Sequence, residues 1–302
     1  METGTGSVLI FSASAIILLI LISMAVLGVF RELSSTEDPG TSDILPEFTS
    51  TKSIDEGTVC MDKQVQPESS HRLSPAAGPR WELVWSDEFN GHCLDPDKWT
   101  PEDWAAEKNN ELQYYTAANA EVQDGQLILT SRKEPFGGRR YTSGAVHTRG
   151  NFSFLYGKAE MRAKLPAGQG VFPAFWMMTD KEETWLPEID IMEMLGHRSD
   201  EIWMVSHWLT EENELTSASQ TFTGTDFSKD YHVFSLEWTP ESLVWRIDGE
   251  ERFKVTSPIP HEPMYLYLNT AIGGNWPGSP DETTRFPVTF EIDYVHVYQI
   301  AQ

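Results

Sequence analysis

The chain has 302 residues, with 22 Lys and Arg against 46 Asp and Glu, and a formal charge of −24. That length buries a core without disulfide help, and that charge excludes nucleic-acid binding, which needs cations to displace phosphate counterions. Two cysteines, Cys60 and Cys93, are too few for a disulfide scaffold or a four-thiolate zinc site.

In chain order, residues 1–7 form a short tail and residues 8–30 read VLIFSASAIILLILISMAVLGVF, without a charge. As a helix this run would span about 34 Å, longer than the ~30 Å hydrocarbon core of a bilayer. The start Met1-Glu2 has no Lys or Arg, which favours an uncleaved signal anchor over a cleavable signal peptide. Arg31, the nearest basic residue, is a single vote for a cytoplasmic C-terminal side. Long domains cross largely regardless of such a charge. Residues 31–79 turn to Ser, Thr, Pro, Asp and Glu with no period of 2 or 3.6, the composition of a disordered linker. Cys60 within it either pairs with Cys93 outside the cell or stays an unrelated thiol.

Residues 80–302 change to short alternating runs, the pattern of half-buried strands. Ala159, Met161, Ala163 and Leu165 alternate with Glu160, Arg162 and Lys164. Phe234, Leu236 and Trp238 make a second such run, and Leu243, Trp245 and Ile247 a third. Asp248-Gly249 and Asp124-Gly125 are tight hairpin turns, the latter ahead of a strand Gln126–Ser131. Phe290, Ile292 and Tyr294 close the chain in the same period. No long amphipathic helix and no repeat is present, so the fold expected is all-β, a two-sheet antiparallel jelly-roll sandwich.

The densest chemistry lies in Glu188-Ile189-Asp190-Ile191-Met192-Glu193, three acids in an apolar, β-branched run. Strand side chains alternate, so Glu188 and Asp190 share a face while Glu193, at an odd offset, points away. One extra residue at Ile191-Met192, a β-bulge, would return Glu193 to that face. Crowded carboxylates cannot all ionise, so one holds a proton while another stays charged. Glycoside hydrolysis needs that pair, one carboxylate to attack the anomeric carbon and one acid to protonate the leaving oxygen. Asp190, between them, would hydrogen-bond the nucleophile and tune both. Glu291-Ile292-Asp293 repeats the first half of the motif with no following Glu, and marks what a solvated strand face looks like.

These residues resemble family 16 of the glycoside hydrolases, the family of laminarinases, lichenases, agarases and carrageenases. The resemblance covers most of residues 80–302 in order, through Trp85-Ser86-Asp87-Glu88-Phe89-Asn90-Gly91, Asn110-Glu111-Leu112-Gln113-Tyr114-Tyr115-Thr116, Pro173-Ala174-Phe175-Trp176-Met177, Gly273-Gly274-Asn275-Trp276-Pro277-Gly278 and Asp293-Tyr294-Val295-His296-Val297-Tyr298-Gln299. It implies a jelly roll with a concave substrate cleft and retention of anomeric configuration. It further implies that Glu188 is the nucleophile, Asp190 its helper and Glu193 the acid/base, in the bulged laminarinase spacing. His207 resembles a cleft histidine on the neighbouring strand; Trp176, Trp185 and Trp276 match or lie near sugar-subsite positions. Asn110, Glu111 and Asn275 would add polar contacts to substrate. Catalysis requires no cofactor, while many members bind a structural calcium, for which Glu88, the Gly125 carbonyl and Asp293 are the matching positions. Asn151-Phe152-Ser153 is a glycosylation sequon, meaningful in a eukaryotic secretory pathway.

Three departures bear on specificity: Ser143-Gly144-Ala145-Val146-His147 where laminarinases commonly have an Arg, Trp185 only three residues ahead of Glu188, and Phe172 where a Trp is frequent. The expectation is a monomeric, membrane-anchored enzyme acting outside the cell on a polysaccharide, or a secreted one if the N-terminal segment is cleaved. An endo-acting retaining hydrolase of β-1,3- or mixed-linked β-glucan leads. A membrane-tethered transglycosylase is the alternative, and a noncatalytic glycan-recognition module a third, against which the retained acids argue.

Overall fold

The computed structural model describes residues 80–181 and 184–301, and among them the sequence alternation becomes eighteen strands. First come β1 (Trp81–Asp87), β2 (Thr100–Pro101), β3 (Trp104–Ala105), β4 (Gln113–Tyr115), β5 (Ala120–Gln123) and β6 (Gln126–Ser131). The middle of the chain supplies β7 (Tyr141–Ser143), β8 (Ala145–His147), β9 (Gly157–Lys164), β10 (Val171–Thr179), β11 (Glu188–Glu193) and β12 (Glu201–Leu209). The last third adds β13 (Leu215–Thr223), β14 (His232–Trp238), β15 (Leu243–Ile247), β16 (Glu250–Val255), β17 (Met264–Ile272) and β18 (Val288–Ile300). Helical structure among the described residues is limited to 3-10 turns, Lys108–Asn110 and Ala117–Asn119. None of these crosses a membrane. The tail 1–7, the apolar run 8–30 and the linker 31–79 lie outside the described residues.

Two large sheets face each other. One has eight strands, in the order β16-β15-β14-β9-β18-β6-β5 with β1 added on β18; the other has seven, β13-β12-β11-β10-β17-β8-β2. This is the expected all-β antiparallel sandwich. Both sheets feed one core, where Met161, Phe234, Leu236 and Trp245 meet Phe175, Met177, Ile189, Met204 and Leu266. On β9 the alternation is clean: Ala159, Met161 and Ala163 are buried, while Lys158, Arg162 and Lys164 reach Glu160, Asp293 and Glu291 on the outer face. Trp238 and Trp245 are core residues, each 1% exposed.

The two Asp-Gly turns form as expected, with φ of 54° and 78° at Asp124-Gly125 and 52° and 80° at Asp248-Gly249. Both φ values positive is the requirement of the hairpin turn that matches strand twist. The last strand departs from a single period. Asp293 is an extra residue between Ile292, paired with Ala163, and Tyr294, paired with Arg162. Tyr294 therefore turns outward, and Val295 and Val297 take over the buried face. The decoy motif lands here: Glu291 accepts from Tyr231 and pairs with Lys164, and Asp293 pairs with Arg162, on the outer face.

All nine residues of β17 are buried, although only one of its faces meets the sandwich core. The other face carries Tyr265, Tyr267 and Asn269, and is covered by a small three-stranded sheet, β3-β4-β7. That sheet brings Trp104, Ala106 and Tyr115 onto the same surface of the seven-stranded sheet that bears the acids. It forms one wall beside them.

Candidate active site

β11 lies between β10 and β12, and its pairing contains the bulge. Against β10, Asp190 faces Trp176 and Met192 faces Phe175, which leaves Ile191 without a partner. Against β12, Asp190 faces Val205 and Glu193 faces Trp203, so Ile191 and Met192 together oppose Met204 alone. Ile189, Ile191 and Met192 all enter the core, at 2% exposure or less. Glu188, Asp190 and Glu193 are left together on the opposite face. The strand is pinned from the other sheet, because Trp245 Nε1 crosses the core and donates to the Asp190 carbonyl at 2.9 Å.

His207 sits directly opposite Glu188 on β12. Its Nε2 is 3.4 Å from Asp190 Oδ2 and 4.0 Å from Glu188 Oε1. Burial pushes the Glu188 carboxyl well above the usual carboxylate range, and the charges of Asp190 and Glu193 push it further; Lys108 opposes them. Glu193 is raised in the same way, by burial and then by Asp190. Burial lifts Asp190 to about 8, against a backbone hydrogen bond that favours its charge. Burial also depresses His207 to about 4, so its imidazole is neutral at physiological pH. Three coupled carboxyls of this kind share protons rather than ionise together. An ionised carboxylate and a carboxylic acid on one strand face is the equipment for attack on carbon with proton delivery to oxygen.

Of the other residues expected at the site, Trp185 lies beside His207 and Trp176 opposite Asp190, and Trp276 packs on Trp203, which faces Glu193. The Trp185 ring lies 6.3 Å from that of His207. Trp176 donates to Asn269 Oδ1 at 2.8 Å and packs 4.6 Å from Tyr267. Trp276 is 39% exposed and meets Trp203 at 5.3 Å and Phe172 at 5.2 Å, edge to face. Asn110 Nδ2 donates to Asn275 Oδ1 at 2.7 Å, while the Asn275 amide donates to the Asn109 carbonyl at 2.9 Å. Glu111 bridges to Gly273 and accepts from Gln113 at 2.7 Å; burial raises its carboxyl. Gly273 is required there, because its φ is 73° and a Cβ would fall 2.5 Å from the Leu112 side chain.

Other site-face residues were not marked by the sequence reading: Trp203, Tyr267, Tyr115, Trp104, Glu102 and Lys108. Trp203 had a signal, since alternation from His207 through Val205 places it on the His207 face, opposite Glu193. Glu102 had none. It accepts from Trp104 at 2.7 Å and from Tyr267 at 2.8 Å, and His147 Nε2 lies 3.7 Å away, contacts made across three strands. Ser143, where the family often has Arg, is fully buried and donates to the Thr270 carbonyl at 2.6 Å, so it offers nothing to the cleft.

Two of the three positions matched to calcium have nitrogen partners. The Glu88 carboxylate contacts His296 Nε2 at 2.5 Å, and Asp293 contacts the Arg162 guanidinium at 2.5 Å. Calcium takes about six to eight oxygen ligands. Each of these two carboxylates keeps a second oxygen beyond its nitrogen partner. Cys93 is disulfide-bonded; the chain's other cysteine, Cys60, lies outside the described residues.

Comparison with known proteins agrees with this fold. The sequence model described as Glycosyl hydrolases family 16 matches residues 107–296. A second, described as Beta-glucan synthesis-associated protein SKN1/KRE6/Sbg1, matches residues 2–182. A beta-glucanase of Rhodothermus marinus is 38% identical over 249 residues, which is 73% of this chain and 86% of that protein. Glucan endo-1,3-beta-glucosidase A1 of Niallia circulans is 34% identical over 257 residues, 72% of this chain but only 38% of that longer protein. The catalytic domain of an endo-1,3-beta-glucanase (laminarinase) from Thermotoga petrophila RKU-1 superposes with a TM-score of 0.69 at 37% identity, covering 74% of this chain and 100% of that one. With its acids on one face of a bulged strand in a jelly-roll sandwich, the chain belongs to family 16 of the glycosyl hydrolases and is a glycoside hydrolase.

Proposed function

We propose that the chain is a retaining, endo-acting hydrolase of β-1,3- or mixed-linked β-glucan, with Glu188 as nucleophile and Glu193 as acid/base. The observation that carries this is the bulge at Ile191-Met192, which sets Glu188, Asp190 and Glu193 on one face. Glu188 attacks the anomeric carbon while Glu193 protonates the departing glycosidic oxygen; the same Glu193 then deprotonates the water that releases the sugar. Asp190, two residues along the strand, and neutral His207, across from Glu188 on β12, flank the nucleophile. The rings of Trp176, Trp185, Trp203 and Trp276 offer flat apolar platforms for pyranose faces.

The test is a panel of laminarin, lichenan, agarose and carrageenan, with the anomer of the first product followed by NMR. Laminarin or lichenan should be cut internally to give a β-configured product first. An α-configured first product would rule out retention, and turnover of carrageenan alone would rule out the glucan reading. The match of residues 2–182 to a family of beta-glucan synthesis-associated proteins supports a second reading, transfer of the glycosyl group to another sugar. The two readings share the covalent intermediate and differ in the acceptor. Mass spectrometry separates them: products longer than the starting oligosaccharide mark transfer, and only shorter ones mark hydrolysis.

A further prediction follows from the exposed corner at Trp276. Trp276→Ala should raise KM for laminarin about 10-fold, the loss of one stacking platform of 1–2 kcal/mol, with kcat nearly unchanged. An unaltered KM would remove Trp276 from the substrate path.

A further inference from the structure

Asp190 is only 3% exposed, and its Oδ2 is a buried atom with no hydrogen-bond partner. That oxygen faces His207 Nε2 at 3.4 Å without the geometry of a hydrogen bond. A carboxylate oxygen of Glu188, one of Asp190 and a ring nitrogen of His207 all lie within 4.8 Å of one another. A buried acceptor without a partner, with two more potential ligand atoms beside it, suits a cation.

We propose that Glu188, Asp190 and His207 form a binding site for a divalent transition ion of the zinc class, which blocks the enzyme reversibly. The dimensions suit such an ion. Bonds of about 2.0–2.1 Å in a tetrahedron put neighbouring ligand atoms about 3.3 Å apart. The 3.4 Å from His207 to Asp190 matches that edge, and the 4.0 Å to Glu188 closes with a shift of less than an ångström. One imidazole and two carboxylates are also the ligand types of zinc and copper(II); calcium and magnesium take oxygen alone. Three protein ligands leave a fourth position for water. Glu188 and His207 keep 16% of their side-chain surface exposed, which gives the ion a way in.

The blocking role rests on the proposed nucleophile. A metal on Glu188 Oε1 takes the lone pair that would attack the anomeric carbon, and no bond to carbon forms. Binding itself rests on geometry alone. The two are therefore read separately, on the full chain.

Calorimetric titration with Zn²⁺ should show one equivalent bound at this site, and His207→Gln should weaken it at least ~10-fold. Copper(II) added to the wild-type chain should give an electron paramagnetic resonance signal split by one imidazole nitrogen. Zn²⁺ should inhibit turnover competitively with laminarin, and a chelator should restore it. No uptake of Zn²⁺ by the wild type, affinity unchanged in His207→Gln, or a copper signal without imidazole nitrogen would each overturn the site. The last of these needs no variant and so is immune to misfolding. Zn²⁺ bound at His207 without slowing an active enzyme would overturn the blocking role. A chain that binds Zn²⁺ in this way but cleaves no glucan keeps the site and loses the proposed function instead.

Discussion

Glu188→Gln and Glu193→Gln are each expected to lower kcat on laminarin by at least ~10³-fold, with KM within a few-fold of wild type. The amide keeps the size of the carboxyl and removes its chemistry. Gln at 188 has no charge with which to attack carbon, and Gln at 193 has no acidic proton to give. The two failures are separable. An aryl glucoside whose leaving group departs unprotonated needs no acid in the first step. That substrate should restore glycosyl-enzyme formation in Glu193→Gln and leave Glu188→Gln inactive. Both variants should be at least as stable to heat as the wild type, because each removes one of three carboxyls crowded in a buried cluster. Wild-type rates in either variant would end the assignment of that residue.

Trp245→Ala is expected to cost about 3–5 kcal/mol of folding stability, the range of a fully buried large aromatic. The ring is 1% exposed and lies in the core shared by the two sheets. It also supplies the donor for the Asp190 carbonyl at 2.9 Å. Trp245→Phe isolates that second contribution. It keeps most of the packing but leaves a buried carbonyl without its partner, a cost of about 1–3 kcal/mol. Because that carbonyl belongs to the residue between nucleophile and bulge, kcat should fall more than KM rises. Urea unfolding measures the first effect and laminarin kinetics the second. If Trp245→Ala unfolded at the wild-type urea midpoint, the claim that this ring fixes β11 would be wrong.

Much of the fold was legible in the chain because it is written in local periods. Alternation in Ala159, Met161 and Ala163, and in Phe234, Leu236 and Trp238, is a one-strand property and needs no knowledge of neighbours. The Asp-Gly turns are likewise local, set by the positive φ their residues accept. Even the bulge at Ile191-Met192 could be read, since three acids in an apolar strand share a face only with one extra residue. A second bulge, at Asp293, could not. No chemical constraint on Tyr294 demanded a face, so alternation ran on through it and placed it inward.

By itself the sequence determined the strand-rich sandwich and the carboxylate row, which follow from residue types at short spacing, and, through its resemblance along residues 80–302, the hydrolase family. Tertiary structure decided what stands around that row. Trp203 reaches Glu193, and Glu102 reaches Trp104 and Tyr267, only once separate strands are in register. Likewise Trp245 holds Asp190 across 55 residues of chain, and His207 faces Asp190 from the next strand. Glu88 meets His296 and Asp293 meets Arg162 in the same way, across segments far apart in the chain. The reason is physical: strand alternation gives a residue's face, but its partner depends on register and on which strands become neighbours, which long-range packing settles.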